Sequence, residues 1–278
     1  MKGKICMVTG ATSGIGLFTA LELARMRATV ILVSRNPQRC EAVASRIHQL
    51  THNSAVVYFA ADLSSQAQIR QLAEKFHSRF SRLDVLVNNA GAFFLRRQES
   101  VDGIEMTFAL NHLNYFLLTH LLLDTIKASA PARIVNVSSD SHRGARLDFD
   151  DIQGKCSYSG FRAYGQSKLA NVLFTYELAR HLEGLQVTAN ALHPGFVATN
   201  IGKNNGLLAK LVMSIVHLGA LPLKEGARTG TYLASSPDVE DISGKYFTRE
   251  KSVQSDPASY ILPDARRLWE LSAEMTGM

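Results

Sequence analysis

Cysteine is scarce: Cys6, Cys40 and Cys156 are the only three, they form no C-x-x-C pair, and one is left over. Neither a disulfide framework nor a cysteine zinc site is indicated, and a reducing compartment follows. No run of five or six basic residues exists despite a formal charge of +6, because Lys and Arg are scattered among Asp and Glu. That pattern gives no nucleic-acid tract, whereas a basic pocket for an anionic cofactor fits it. His48 and His52 have the i, i+4 spacing of a metal-binding helix, but Gln49 stands where a metallohydrolase motif needs Glu, so two solvated histidines and no metal are expected. Repeats, low-complexity tracts and linkers are lacking as well, and one continuous domain over 1–278 is the economical reading. Met1-Lys2-Gly3-Lys4 runs directly into an apolar strand, leaving no room for a signal peptide or amino-terminal anchor. The expected location is therefore the cytoplasm. Hydrophobic residues at 46% and charged residues at 19% suffice for a folded core.

What is present begins with a strand, a glycine-rich turn and a helix. Ile5-Cys6-Met7-Val8 ends at Thr9-Gly10-Ala11-Thr12-Ser13-Gly14-Ile15-Gly16, after which Leu17, Ala20, Leu21, Leu23 and Ala24 recur with helical period. This order places backbone N–H groups and a helix N-terminus against a pyrophosphate. The spacing is G-x-x-x-G-x-G, a variant of the general dinucleotide fingerprint. A second strand, 28–33, ends in Ser34-Arg35, where a fold that prefers NAD usually carries Asp or Glu for the ribose 2′-hydroxyl. A guanidinium there can pair bidentately with a 2′-phosphate, which favours NADP(H), and Arg39 is placed to assist. Asn36-Pro37 then starts a helix, Asn as the cap and Pro in the first turn.

The pattern repeats. Residues 55–60 form a strand followed by Asp62-Leu63, whose acid can accept from an adenine amino group, and Ser64 or Ser65 caps the next helix. Residues 85–87 are a fourth strand closed by Asn88-Asn89-Ala90-Gly91. From Asp102 to Lys127 the periodicity predicts one long helix, with Asn111 inside it needing hydrogen-bond partners. Asn111 could tie down neighbouring backbone, or interrupt the helix and bind a water. The fifth strand, 133–137, ends in Ser138-Ser139. A polar, aperiodic loop runs from 140 to 163, and a helix starts near Ala163. The sixth strand, 186–192, breaks at His193-Pro194-Gly195-Phe196-Val197-Ala198-Thr199. Residues 207–223 are apolar but interrupted by Lys210 and His217, too short for a confident membrane span; they can serve as a lid, a subunit contact or a peripheral membrane contact. Helix 225–234, strand 245–247 and helix 264–275 complete the chain. Alternating strands and helices imply an α/β fold with a parallel sheet covered on both faces, and ligands gather at the strands' carboxyl ends.

Tyr164-Gly165-Gln166-Ser167-Lys168 opens the apolar-periodic stretch that follows the polar loop. Residues four apart share a helix face, so the Tyr164 phenol and the Lys168 ammonium can meet. A pair at this spacing also occurs on ordinary solvated helices, and its meaning depends on the company it keeps.

That company resembles the short-chain dehydrogenase/reductase family. The matches are the Thr9–Gly16 loop, Asp62-Leu63, Asn88 to Gly91, Asn111, Ser139, Tyr164-x-x-x-Lys168 and Pro194-Gly195-x-x-x-Thr199, in the family's order and across almost the whole chain. Ser167 to Phe174, His193-Pro194-Gly195, Ser243-Gly244-Lys245-Tyr246-Phe247 and Leu268-Trp269 are similar to segments of its retinol dehydrogenase group, many of whose members carry an amino-terminal hydrophobic anchor.

The resemblance implies a single Rossmann-like, doubly wound domain with a seven-stranded parallel sheet, and a substrate lid near 200–223. It implies that Tyr164 is the acid in reduction and the base in oxidation, that Ser139 holds the substrate oxygen, and that Asn111 organises a proton relay. Lys168 would bind the nicotinamide ribose and lower the phenol pKa. Bringing a phenol from near 10 to neutrality takes roughly 4 kcal/mol, about what one charge at ~4 Å supplies at an effective dielectric near 20. Gly10, Ser13, Gly14, Ile15, Gly16, Asp62, Leu63, Asn89, Ala90, Gly91, Tyr164, Lys168, Pro194, Gly195, Val197 and Thr199 would line NADP(H), with Arg35 on its 2′-phosphate. The expected activity interconverts a lipophilic aldehyde or ketone, such as retinal, and its alcohol, and family members often pair through long helices. The alternatives are a ketoreductase of acyl intermediates and a non-catalytic NADP-binding regulator or scaffold.

Overall fold

The computed structural model describes residues 1–195 and 222–278. Seven strands lie parallel in one sheet: β1 (Ile5–Thr9), β2 (Thr29–Ser34), β3 (Val56–Ala60), β4 (Val85–Asn88), β5 (Ala132–Val137), β6 (Val187–His193) and β7 (Tyr246–Thr248). Their side chains explain the arrangement. Met7 faces one core with Ile31, Val33 and Leu86, while Cys6 and Val8 face the other with Val30, Leu32, Val85 and Val87. Strands apolar on both faces must be covered on both. Helices α1 (Gly14–Arg25) and α2 (Pro37–Thr51) cover one face together with α7 (Leu223–Ser235). Helices α3 (Gln66–His77), α5 (Asn114–Ala128) and α6 (Gly160–His181) cover the other. Full burial of a side chain such as Met7 stabilises the fold by about 2 kcal/mol.

The strand order is β3-β2-β1-β4-β5-β6-β7, continued by an eighth strand, β8 (Lys251–Val253). The winding reverses between β1 and β4, and the ends of those strands therefore splay into a crevice. Into it project the turn after β1 and Asn89 to Gly91 after β4.

The structure corrects three expectations. The sheet has eight strands rather than seven, because β8 returns antiparallel to β7. The connecting residues, Arg249 and Glu250, both adopt left-handed φ, 49° and 63°, as a tight hairpin requires, without the Asn-Gly signature that marks such turns. The helix expected from Asp102 begins at Met106: Gly103 takes φ 73°, the Asp102 carboxylate accepts from Gln66 N, and Glu105 caps the amides of Thr107 and Phe108. It is also not uniform, since α4 (Met106–Phe108) passes through a π-helical stretch, Ala109–Leu113, before α5. Finally, α6 starts at Gly160, where a Cβ would lie 2.4 Å from the Phe94 carbonyl oxygen, and Asp140–His142 form a 3-10 turn within the expected loop. The helix starts at Asn36-Pro37 and Ser65 form as expected, with each cap accepting from a backbone amide three residues on. Among the described residues no helix is long and apolar enough to cross a membrane.

Candidate active site

The turn after β1 is shaped by its glycines and closed by β4. Gly10 and Gly14 have φ 66° and 58°, open to glycine at little cost. A Cβ on Gly16 would stand 2.4 Å from Asn89 Nδ2 and 2.6 Å from the Gly10 carbonyl oxygen, so only glycine lets α1 approach this closely. The Asn89 side chain donates to the Thr9 carbonyl at 2.7 Å, and the buried Thr9 hydroxyl accepts from the amides of Asn89 and Ala90. Asn89 is thus a brace for the loop. Ser13 precedes α1 without capping it through its side chain, an arrangement of N-terminal amides at Gly14, Ile15 and Gly16 that suits an anion.

Around that turn, Thr12 and Ser34 join hydroxyls at 2.9 Å and bring the end of β2 alongside. Arg35 and Arg39 are exposed there. Asp62 follows β3 with one carboxylate oxygen accepting from the amide and hydroxyl of Ser64 at 2.9 and 2.7 Å. The Leu63 side chain is buried in the core, as is Ala90, so each can offer only backbone to a ligand. Gly91 gives clearance: a Cβ there would lie 3.1 Å from Asn111 Oδ1 and 3.6 Å from Lys168 Nζ. Pro194 and Gly195, the latter at φ 87°, are half-buried beyond β6. Val197, Thr199, and the expected lid up to residue 221 lie outside the described residues.

Helix α6 carries Tyr164 and Lys168, and a buried polar ladder fixes its distance from the sheet. Asn88 Nδ2 donates to Thr119 Oγ1 and Asn136 Oδ1, and Asn136 Nδ2 donates to Thr175 Oγ1 on α6. The ladder ties α5 and α6 to β4 and β5. Lys168 is buried, its ammonium donating to the Val137 carbonyl at 3.0 Å and standing 5.6 Å from the centre of the Tyr164 ring. Asn111, fully buried in the π-helical stretch, uses both ends of its amide. It accepts from Ala92 N at 2.8 Å and donates to the Ala92 carbonyl and the Ser167 hydroxyl. Ser167 in turn donates to the Tyr164 carbonyl. Both sequence readings of Asn111 hold in part: it ties backbone down and it sits where the helix departs from α geometry.

The two serines after β5 separate cleanly. Ser138 is buried and donates to the Lys168 carbonyl at 2.8 Å. Ser139 is half-buried and caps the 3-10 turn, its hydroxyl accepting from the Ser141 amide and donating to the Ser141 hydroxyl, both at 3.2 Å, and it stands near enough to the Tyr164 phenol to bear on its proton.

Electrostatics here differ from the expectation. Burial pushes the Tyr164 phenol up to about 12, with the nearby Ser139 hydroxyl acting in the opposite sense. Burial likewise brings Lys168 down to about 7. The expected lowering of the phenol does not appear, because Lys168 reaches the Val137 carbonyl and desolvation disfavours both charged forms. At neutral pH this pair holds a phenol that can donate a proton and an amine that can readily exchange one. An uncapped helix N-terminus and exposed arginines form a donor set that suits a dinucleotide's phosphates.

Sequence reading missed the brace formed by Thr9, the link through Ser167, and His142 and His193, which flank Ser139. For Thr9 the signal was its place at a strand end; a lone histidine in a polar loop gives none.

Known proteins are similar to this chain in sequence and fold. The chain is 42% identical over 292 residues to retinol dehydrogenase 14 of Mus musculus, covering 100% of this chain and 87% of the relative. It is 42% identical over 284 residues to polyprenol dehydrogenase of Homo sapiens, covering 99% and 86%. The Pseudomonas aeruginosa RhlG/NADP active-site complex is similar in fold, with TM-score 0.71 and 28% identity over 89% of this chain and 94% of that one. The family model described as short chain dehydrogenase matches residues 4–207. A nicotinamide-dependent oxidoreductase of the short-chain dehydrogenase family is what this chain belongs to.

Proposed function

We propose that this protein is an NADP(H)-dependent oxidoreductase that interconverts a lipophilic aldehyde or ketone and the corresponding alcohol, within one domain and in the cytoplasm. The observation that carries the reading is the convergence of Ser139, Tyr164 and Lys168 at the sheet edge that also holds the glycine turn. Relatives named for retinol and polyprenol point to a long hydrocarbon on the substrate. Phe93, edge-on to the Tyr164 ring at 5.7 Å and 5.1 Å from the exposed Phe161 ring, would give that hydrocarbon an apolar wall.

The amides at the start of α1, Asn89 to Gly91, Asp62 and Lys168 would hold the cofactor, and Arg35 would pair with its 2′-phosphate. NADP in a similar structure supports that choice. When bound, the reduced nicotinamide supplies the hydride, and the protein supplies orientation and the proton. Ser139 donates to the carbonyl oxygen and fixes its distance from the Tyr164 phenol. Tyr164, neutral at physiological pH, gives that oxygen its proton. Lys168, able to exchange protons near neutrality, returns one to Tyr164, and Asn111 keeps the Ala92 and Ser167 side of the relay in place. In alcohol oxidation the proton flow reverses, passing from the substrate hydroxyl to Tyr164 and on toward Lys168.

Oxidation of NADPH and NADH, assayed against aldehydes and ketones of graded chain length and including retinal, tests cofactor and pocket together. Turnover with NADPH that rises with hydrocarbon length supports the reading. Equal use of short polar carbonyls, or preference for NADH, contradicts it.

A further inference from the structure

The peptide joining Ser139 to Asp140 is gripped at both ends by imidazoles. His142 Nδ1 lies 2.7 Å from the Ser139 carbonyl oxygen, and His193 Nδ1 lies 3.2 Å from the Asp140 amide nitrogen. A carbonyl only accepts, so His142 Nδ1 carries a hydrogen; an amide only donates, so His193 Nδ1 does not. The far nitrogens complete the assignment. His142 Nε2 accepts from the Asp256 amide at 3.0 Å, and His193 Nε2 is 3.3 Å from the Asp140 carboxylate, to which it donates. Each ring is therefore neutral, and the two are opposite tautomers.

We propose that His142 and His193 are positioning residues: as neutral imidazoles of opposite tautomer they hold the Ser139–Asp140 peptide and thereby set the place of the Ser139 hydroxyl beside Tyr164. The proposal rests on Ser139 acting at the substrate oxygen. His142 reaches the clamp from within the Ser139 turn and is backed by the segment after β8, while His193 reaches it from the end of β6. The backing is extensive, since the Asp256 carboxylate also accepts from the Gly144 amide at 2.8 Å and the Tyr246 ring centroid lies 4.7 Å from that of His142.

Acid disrupts the clamp in two ways. A hydrogen on His142 Nε2 would face the Asp256 N–H, and one on His193 Nδ1 would face the Asp140 N–H. The groups that bear on His142 are Asp140 and Arg143 in its own turn, Asp256 with its partner Arg146, Tyr246 and His193. Those that bear on His193 are Asp140, His142, Arg143 and Arg249. Burial outweighs the two acids and keeps both rings below the ordinary histidine value.

The test uses the full chain with NADP(H). Nitrogen NMR of the imidazoles near pH 7.5 is expected to show His142 protonated at Nδ1 and His193 at Nε2. His142→Ala and His193→Ala are each expected to lower kcat roughly 10- to 100-fold with NADPH affinity unchanged. His142→Asn and His193→Asn replace the Nδ1 bond by an amide that does not titrate. They are expected to recover most of that loss and to flatten the fall in kcat below about pH 6.5. Reversed or charged rings, alanine variants with wild-type kcat, asparagine variants no better than alanine, or an unmoved acid limb would each overturn the proposal. If an alanine variant does not fold, the wild-type tautomers and the asparagine pH profiles decide. The NMR result needs no turnover, so failure of the clamp is separable from failure to reduce any carbonyl.

Discussion

The Lys168 ammonium stands 5.6 Å from the centre of the Tyr164 ring and gives its hydrogen bond to the Val137 carbonyl, with burial acting against its charge. The site thus carries an ionisable amine at a cost to the fold. Its value of about 7 lies below the ordinary 10.5, so the folded state favours the neutral amine. The cost is complete below about pH 7 and fades as pH rises from there toward the ordinary lysine value. Lys168→Met is expected to raise stability to denaturant at pH 6 by on the order of 3 kcal/mol while removing turnover. A variant less stable than the parent at that pH would refute the assignment.

Asn111 presents the opposite case. Its three hydrogen bonds reach both backbone groups of Ala92 and the Ser167 hydroxyl, all buried or part-buried. Asn111→Ala strands those groups and is expected to lower stability by about 2–4 kcal/mol, read by urea denaturation, together with kcat. An unchanged urea midpoint would show that water replaces the side chain without penalty.

His112 adjoins Asn111 and is fully buried, with its ring nitrogens 3.4 Å from Asn171 Oδ1 and 2.9 Å from Ser272 Oγ. Burial brings it down to about 4. The unfolded chain takes up this proton first, so stability is lost as pH falls from about 6.5 to about 4, by roughly 3 kcal/mol in all. Equilibrium unfolding across that range is expected to show the loss in the parent and a smaller one in His112→Gln. Parallel curves would contradict the role given to His112.

Arg35 is exposed beside the glycine turn. Arg35→Asp is expected to shift the NADPH to NADH ratio of kcat/KM toward NADH by roughly 10- to 100-fold. An unchanged ratio would move recognition of the 2′-phosphate elsewhere.

Much of the fold was legible because its strands announce themselves. Residues 5–8 and 85–87 are apolar on both faces, and that pattern forces a covered parallel sheet. The Thr9–Gly16 turn followed from its place between the first strand and helix, whereas Ser139 was singled out through the family resemblance. Elements set by single backbone conformations and caps, or by depth of packing, were not legible. The hairpin at Arg249-Glu250 lacks turn residues, the late start of α4 depends on Glu105 and Gly103, and the upward shift of Tyr164 depends on how deeply the helix packs. The choice between Ser138 and Ser139 illustrates the boundary: the pair was visible, but only the fold shows Ser138 bonded to the Lys168 carbonyl.

Tyr164 carries the central claim, and Tyr164→Phe tests it most directly because only the hydroxyl is removed. With NADPH and a long-chain aldehyde, the variant is expected to bind the cofactor as the parent does and to lose turnover on the order of 10²- to 10⁴-fold or more. Retention of full turnover would contradict the assignment of Tyr164 as the proton donor.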